Sequence, residues 1–160
     1  MADPIIACFK EEFDRFQGLI EQLVDACPSD AAWTEKTGTT AYWAHIMHAL
    51  GIVEYYTLPL GAAPKQTVYS ADEVRLKVEP HRVMSRDEIR KLAADMKQLG
   101  TAFLDSMTTA DLPKKNEGMS KAMGRQCTNI QAVIGLVRHY NYHIGCLDSI
   151  LRAKGLPGVY

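Results

Sequence analysis

Apolar residues recur at alternating intervals of three and four in four separate stretches of this chain, the pattern of helices that each bury one face. In the first stretch Ile6, Phe9, Phe13, Phe16, Ile20, Leu23 and Cys27 form a seam, and Lys10, Glu11, Asp14, Arg15 and Glu21 fill the other faces. The spacing predicts a helix from about Pro4 to Ala26, with Asp3 as its cap and Pro4 in the first turn, where a missing N–H does no harm. Cys27-Pro28-Ser29-Asp30 ends it. The second stretch, roughly Thr40 to Thr57, is apolar nearly all round, interrupted only by His45, His48, Glu54 and tyrosine hydroxyls. A helix of that composition lies centrally, and Ala41, Ala44 and Gly51 let neighbouring backbones come close. The third begins at Ser85, where Ser85 and Glu88 read as a capping box, and continues through Ile89, Leu92, Met96, Leu99 and Phe103. The fourth runs from about Asn129 to Lys154, opened by Thr128 with Gln131 and stopped by Gly155 and Pro157. Its seam reads Ala132, Leu136, His139, His143, Cys146 and Ile150.

Two long connections separate these stretches. Leu58 to Met84 carries Pro59, Gly61, Pro64 and Pro80, with a helical turn expected after Ser70, where Ser-Ala-Asp-Glu again resembles a capping box. A connection of this length is a crossover or a functional segment. Thr108 to Gln126 is polar, with Lys114, Lys115, Gly118, Lys121 and Gly124, and reads as a flexible loop able to cover a site. It lacks a phosphate-loop pattern. No stretch alternates like a strand, and no internal repeat is visible. The expected fold is therefore all-α, a four-helix bundle with long crossover connections, in one domain over residues 1–160.

Composition narrows the function classes. Apolar residues make up 47% of the chain, enough for one core. Eighteen basic and nineteen acidic residues leave a net charge of −1, which gives no electrostatic reason to bind nucleic acid. No apolar run is long enough to span a bilayer, so no membrane association is expected. The N-terminus lacks a basic segment ahead of an apolar stretch, so no secretory signal is expected either. Cys8, Cys27, Cys127 and Cys146 show no C-x-x-C spacing; reduced thiols, mostly packed in the core, and a cytoplasmic location are the expectation.

The histidines change the picture most. His139 and His143 stand one turn apart, so both imidazoles leave the same side of the fourth helix and can chelate one divalent ion. A stable core alone would use leucine at those seam positions. A third imidazole from the second helix would complete a three-histidine site with open coordination positions. Spacing does not separate His48 from His45, since the two lie only about 60° apart on the helix. His48 has Ala41 and Ala44 near it, which leaves room for an ion and a substrate, and His45 then becomes a substrate contact or a supporting group. Glu54 is the one carboxylate inside the second helix, either orienting an imidazole or lying on an exposed edge. Cys146 reads as a small core residue in preference to a fourth ligand or a redox-sensitive lid, and His81, between prolines, reads as exposed.

Residues 139–160, HYNYHIGCLDSILRAKGLPGVY, resemble the closing helix of the DinB-like (DinB/YfiT) superfamily of metalloenzymes, an H-x3-H-x-G segment followed by an apolar stretch, Leu-Arg, Gly and Pro. Residues 42–56, YWAHIMHALGIVEYY, are similar to that family's metal-binding second helix. The resemblance implies an up-down-down-up bundle and a divalent metal, usually nickel or zinc, held by His48, His139 and His143, with His45 the fallback for the first. It also implies a homodimer and a small-molecule substrate. Better understood members move low-molecular-weight thiols onto electrophiles or isomerise maleylpyruvate with mycothiol. The chain departs from the family at Cys146, where glutamine is frequent, and at its terminal Tyr160, where tryptophan is. The expected activity is a metal-dependent thiol S-transferase. The alternatives are a metal-dependent hydrolase, for which Glu54 or His45 would serve as base, and a metal-binding or stress-response dimer without catalysis.

Overall fold

The expected helix starts are built by the side chains that nominate them. In a computed structural model, which describes residues 3–160, α1 spans Pro4–Ala26, and the Asp3 carboxylate accepts from the backbone N–H groups of Ile5 and Ile6 at 3.1 and 3.3 Å. Ser29 caps the short α2 (Asp30–Thr34). Two-residue strands β1 (Lys36–Thr37) and β2 (Thr40–Ala41) then pair antiparallel, turning through Gly38 at a φ of 66°. This pair departs from an all-helical reading, as does a single antiparallel bridge between Lys115 and Thr128. The strand pair takes Thr40 and Ala41 out of the second helix, which begins as α3 at Tyr42 (Tyr42–Gly51).

That second helix is also broken, where the sequence reading has it continuous to Thr57. At Ile52 the chain closes a tight turn, with Tyr55 N–H donating to Ile52 O at 2.9 Å, and resumes as α4 (Val53–Thr57). Gly51 followed by the β-branched pair Ile52-Val53 is poor helix-forming sequence. Gly51 is needed for another reason: a Cβ there would lie 2.6 Å from a Val74 methyl. Val74 belongs to α5 (Ala71–Val74), the helical turn expected after Ser70, and its capping box is complete. It ends in a left-handed Leu76 (φ 56°), the one non-glycine residue with positive φ among those described.

Ser85 and Glu88 make the second capping box, at the head of α6 (Arg86–Asp105). The polar segment from 108 to 126 is not the flexible loop its composition suggests. It holds a 3-10 turn (Thr109–Asp111) and α7 (Glu117–Met123), which Asn116 caps and Gly124 terminates at a φ of 63°. Backbone bonds from Asn116 to Cys127 O, Asn129 to Lys114 O and Ile130 to Leu112 O pin it to the start of α8 (Asn129–Ala153). No described helix is long and apolar enough to cross a membrane.

α1 packs along α6 and α8, and α3 lies against the same two helices, so the core forms where all four meet. The buried face of α8 is rotated from the seam read in the sequence. It runs Ala132, Leu136, Tyr140, His143, Leu147 and Leu151, with His139, Cys146 and Ile150 on its half-buried edge. Tyr140 is fully buried and stacks on Phe13, their ring centroids 5.7 Å apart. The Phe13 ring in turn fills the space where a Cβ on Gly100 would be. The Tyr140 hydroxyl donates to Gln17 Oε1 at 2.9 Å, and Gln17 Nε2 donates to the Ala93 carbonyl at 2.9 Å. One polar chain thus ties α8, α1 and α6 inside the core, and burial raises the Tyr140 pKa, keeping the phenol a donor. Tyr140→Phe will strand Gln17 Oε1 in the interior. The expected loss is about 1–3 kcal/mol of stability, read as a lower urea midpoint at unchanged slope. An unchanged midpoint would show the bond to be dispensable.

Of the four cysteines, all of them free, Cys27 and Cys127 are buried, Cys146 is half-buried and Cys8 is exposed, so the expected packing of thiols in the core holds for two.

Candidate metal centre

Helices α3 and α8 cross the core side by side, and their histidines meet there. One ligand nitrogen each from His48, His139 and His143 lie within 4.8 Å of one another. Ring centroids are 5.0 Å apart for His48 and His139, 4.6 Å for His48 and His143, and 4.5 Å for His139 and His143. Two nitrogens on one ion at about 2.1 Å sit no more than about 4.2 Å apart, so these rings stand within a small side-chain rotation of chelating distance.

The hydrogen bonds decide which nitrogens are available. His48 Nδ1 lies 2.6 Å from the Val74 carbonyl. A carbonyl only accepts, so Nδ1 carries the proton and Nε2 presents its lone pair. The carbonyl is spare because Val74 closes α5, and the last carbonyls of a helix have no partner within it. His139 Nε2 is buried with no hydrogen-bond partner, the one such side-chain atom among the described residues. Leaving a polar atom in that condition costs on the order of 1–3 kcal/mol. His143 is buried, and its Nδ1 approaches His45 Nδ1 at 3.4 Å, so one of that pair donates to the other.

Burial sets the charge state. It is the largest cause of a lowered pKa at His45, His48, His139 and His143, pushing His139 to about 4 and His143 to about 2, with neighbouring imidazoles adding to the effect at His45, His139 and His143. All are neutral at pH 7. Three neutral imidazoles with one unpartnered nitrogen match the donor set of a divalent ion, and the group can in principle hold one.

The other residues singled out from the sequence fall elsewhere. His45 contacts His143 but is not one of the three; of the two histidines of α3 it is His48 whose ring nitrogen groups with His139 and His143. Glu54 does not reach an imidazole. Its Oε1 accepts from the backbone N–H groups of Lys65 (2.6 Å) and Gln66 (3.0 Å), holding the connection after α4. Cys146 lies outside the ligand group. His81 is exposed at 55% of its side chain, with Nδ1 2.7 Å from Glu73 Oε1. Sequence reasoning misses the Val74 carbonyl as the group that orients His48. The Ser70 capping box was the available signal, since it marks a short helix whose last carbonyls need donors.

No family model, curated protein or solved structure matches this chain.

Proposed function

We propose that His48, His139 and His143 hold a divalent ion, zinc or nickel, and that the protein is a DinB-like, metal-dependent thiol S-transferase acting on small electrophiles. The observation that carries the reading is the buried, unpartnered Nε2 of His139 in a group with two further neutral imidazoles. The resemblance of residues 139–160 and 42–56 supports the choice of family and, with it, the up-down-down-up four-helix bundle and the homodimer. A divalent ion in this group would supply a Lewis acid that lowers the pKa of a small thiol and so furnishes a nucleophile at neutral pH.

The chain's own residues prepare for that chemistry. The Val74 carbonyl fixes the tautomer and ring orientation of His48. Burial keeps His139 and His143 unprotonated and able to donate their lone pairs. All three donors are uncharged, so the protein leaves an ion's charge uncompensated and the site favours an anionic partner over a neutral one. His45, neutral and against His143, can accept the proton that a thiol gives up. The hydrolase alternative takes Glu54 or His45 as its base, and Glu54 is engaged with the 65–66 backbone.

Incubation with zinc or nickel, a panel of cellular thiols and monochlorobimane is the test. The expected result is conjugation of at least one thiol that depends on metal and is lost in His143→Ala. Absence of metal-dependent conjugation with every thiol removes the transferase reading. Hydrolysis of esters without thiol would move the assignment to a hydrolase.

A further inference from the structure

Beside the histidine group, and including none of its members, lies a groove of about 560 Å³ bounded by α4, α5, α7 and the connection after α4. Tyr55, Leu58, Tyr69 and Val74 give it an apolar lining. Glycines set its walls: Gly51 lets Val74 seat on α3, and Gly118 lets α7 press against the Leu58 carbonyl, where any side chain would collide.

Charge distinguishes this groove. Most lysines and arginines of the chain pair with a carboxylate. Among the described residues, Lys65, Arg75, Lys121, Arg125 and Arg138 do not. Arg75 and Lys121 both line the groove, and Lys65 sits between two lining residues, Pro64 and Gln66. An exposed lysine such as Lys121 is commonly unpaired. Arg75 is different, because it is half-buried with its guanidinium 4.4 Å over the Tyr55 ring. Stacking occupies the face of the guanidinium and leaves its N–H edge, a planar fork of donors, without an acid. Glu54 is the one carboxylate in the lining, and two backbone N–H groups already bond to it.

We propose that this groove binds a small organic carboxylate with an apolar body, its carboxylate paired with Arg75 and drawn by Lys121, its aromatic or aliphatic part against Tyr55, Leu58 and Tyr69. Unpaired cations beside an apolar surface of drug-like volume match that chemistry on both counts. The proposal needs no metal and stands apart from the transferase reading. The two sites share a wall, since Val74 turns its carbonyl to His48 and also lines the groove.

The test titrates 4-phenylbutyrate and its uncharged counterpart 4-phenylbutan-1-ol into metal-free, full-length protein, followed by calorimetry and by amide chemical shifts. The acid is expected to bind about tenfold more tightly than the alcohol, the scale of one charge-assisted pair. Shifts should centre on residues 55–75 and α7. Arg75→Gln should remove the preference while leaving the alcohol's affinity alone, and Arg75→Lys should restore part of it. Lys121→Gln, an exposed change that folding tolerates, should reduce it less. Equal affinity for acid and alcohol, no binding of the acid in the millimolar range, shifts centred elsewhere, or a preference that survives both Arg75→Gln and Lys121→Gln would each overturn the proposal.

Discussion

Zinc or nickel added to the purified protein is expected to bind one ion per chain, and His143→Ala or His139→Ala to weaken that binding at least a hundredfold. Three nitrogens within 4.8 Å form the group, one of them has no protein partner, and no cysteine or carboxylate lies among them to replace a lost donor. Elemental analysis after dialysis gives the stoichiometry, and calorimetry the affinity. Binding at a hundred times Kd adds about 2.7 kcal/mol to the folded state, a rise in Tm of about 5–10 °C for a chain of this size. The variants should show no such rise. His45→Ala and Cys146→Ala, which remove side chains outside the group, should retain one ion per chain. Undiminished binding in His139→Ala would refute the ligand assignment, and the thiol-transfer reading would fall with it.

The metal-free protein is expected to lose stability as pH falls from about 6.5, before its carboxylates titrate. The native pKa values of His139 (about 4) and His143 (about 2) lie below the ordinary 6.5, mainly through burial. Between the native and unfolded values the unfolded chain binds a proton that the native one refuses. Stability therefore rises with pH across that window and drains as pH falls, at about 1.4 kcal/mol per unit for each group. His139 alone accounts for about 3 kcal/mol between pH 6.5 and 4. The depressed carboxylates act later. Glu73, lowered to about 2 by backbone N–H bonds, and Glu88, lowered to about 2 by Arg82, contribute stability that is lost only as pH falls below the usual 4.5. The interval from 6.5 to 4.5 thus belongs to the imidazoles. Urea midpoints measured across it should fall steadily, and His139→Gln should flatten the slope. A midpoint independent of pH there would mean that the histidines are more exposed to water than the structure places them.

Four helix starts were legible in the sequence because each is written in one or two side chains, whereas α3 starts at Tyr42 after Ala41, which offers no side-chain cap. Asp3, Ser70, Ser85 and Thr128 name their own positions. The C-terminal histidine pair was legible from its spacing alone. Which of His48 and His45 groups with that pair was not, since three residues of helix place both on one broad face; the carbonyl that holds the His48 ring comes from α5, twenty-six positions away. The ordered segment from 108 to 126 depends on backbone bonds to Cys127 and Lys114, which composition does not encode, while the break at Ile52 follows from Gly51 and the β-branched pair after it. The rotated face of α8 hid for a related reason. Tyr140 and Gln17 each look like surface residues, and only their meeting inside the core makes both buried.

That meeting also constrains how such a chain can drift over generations. Replacing both partners by hydrocarbons of similar shape would be nearly neutral, yet every single-step route to that pair passes through a molecule with one unanswered polar atom in its centre. Positions 17 and 140 are therefore expected to change together, a change at one favouring a compensating change at the other.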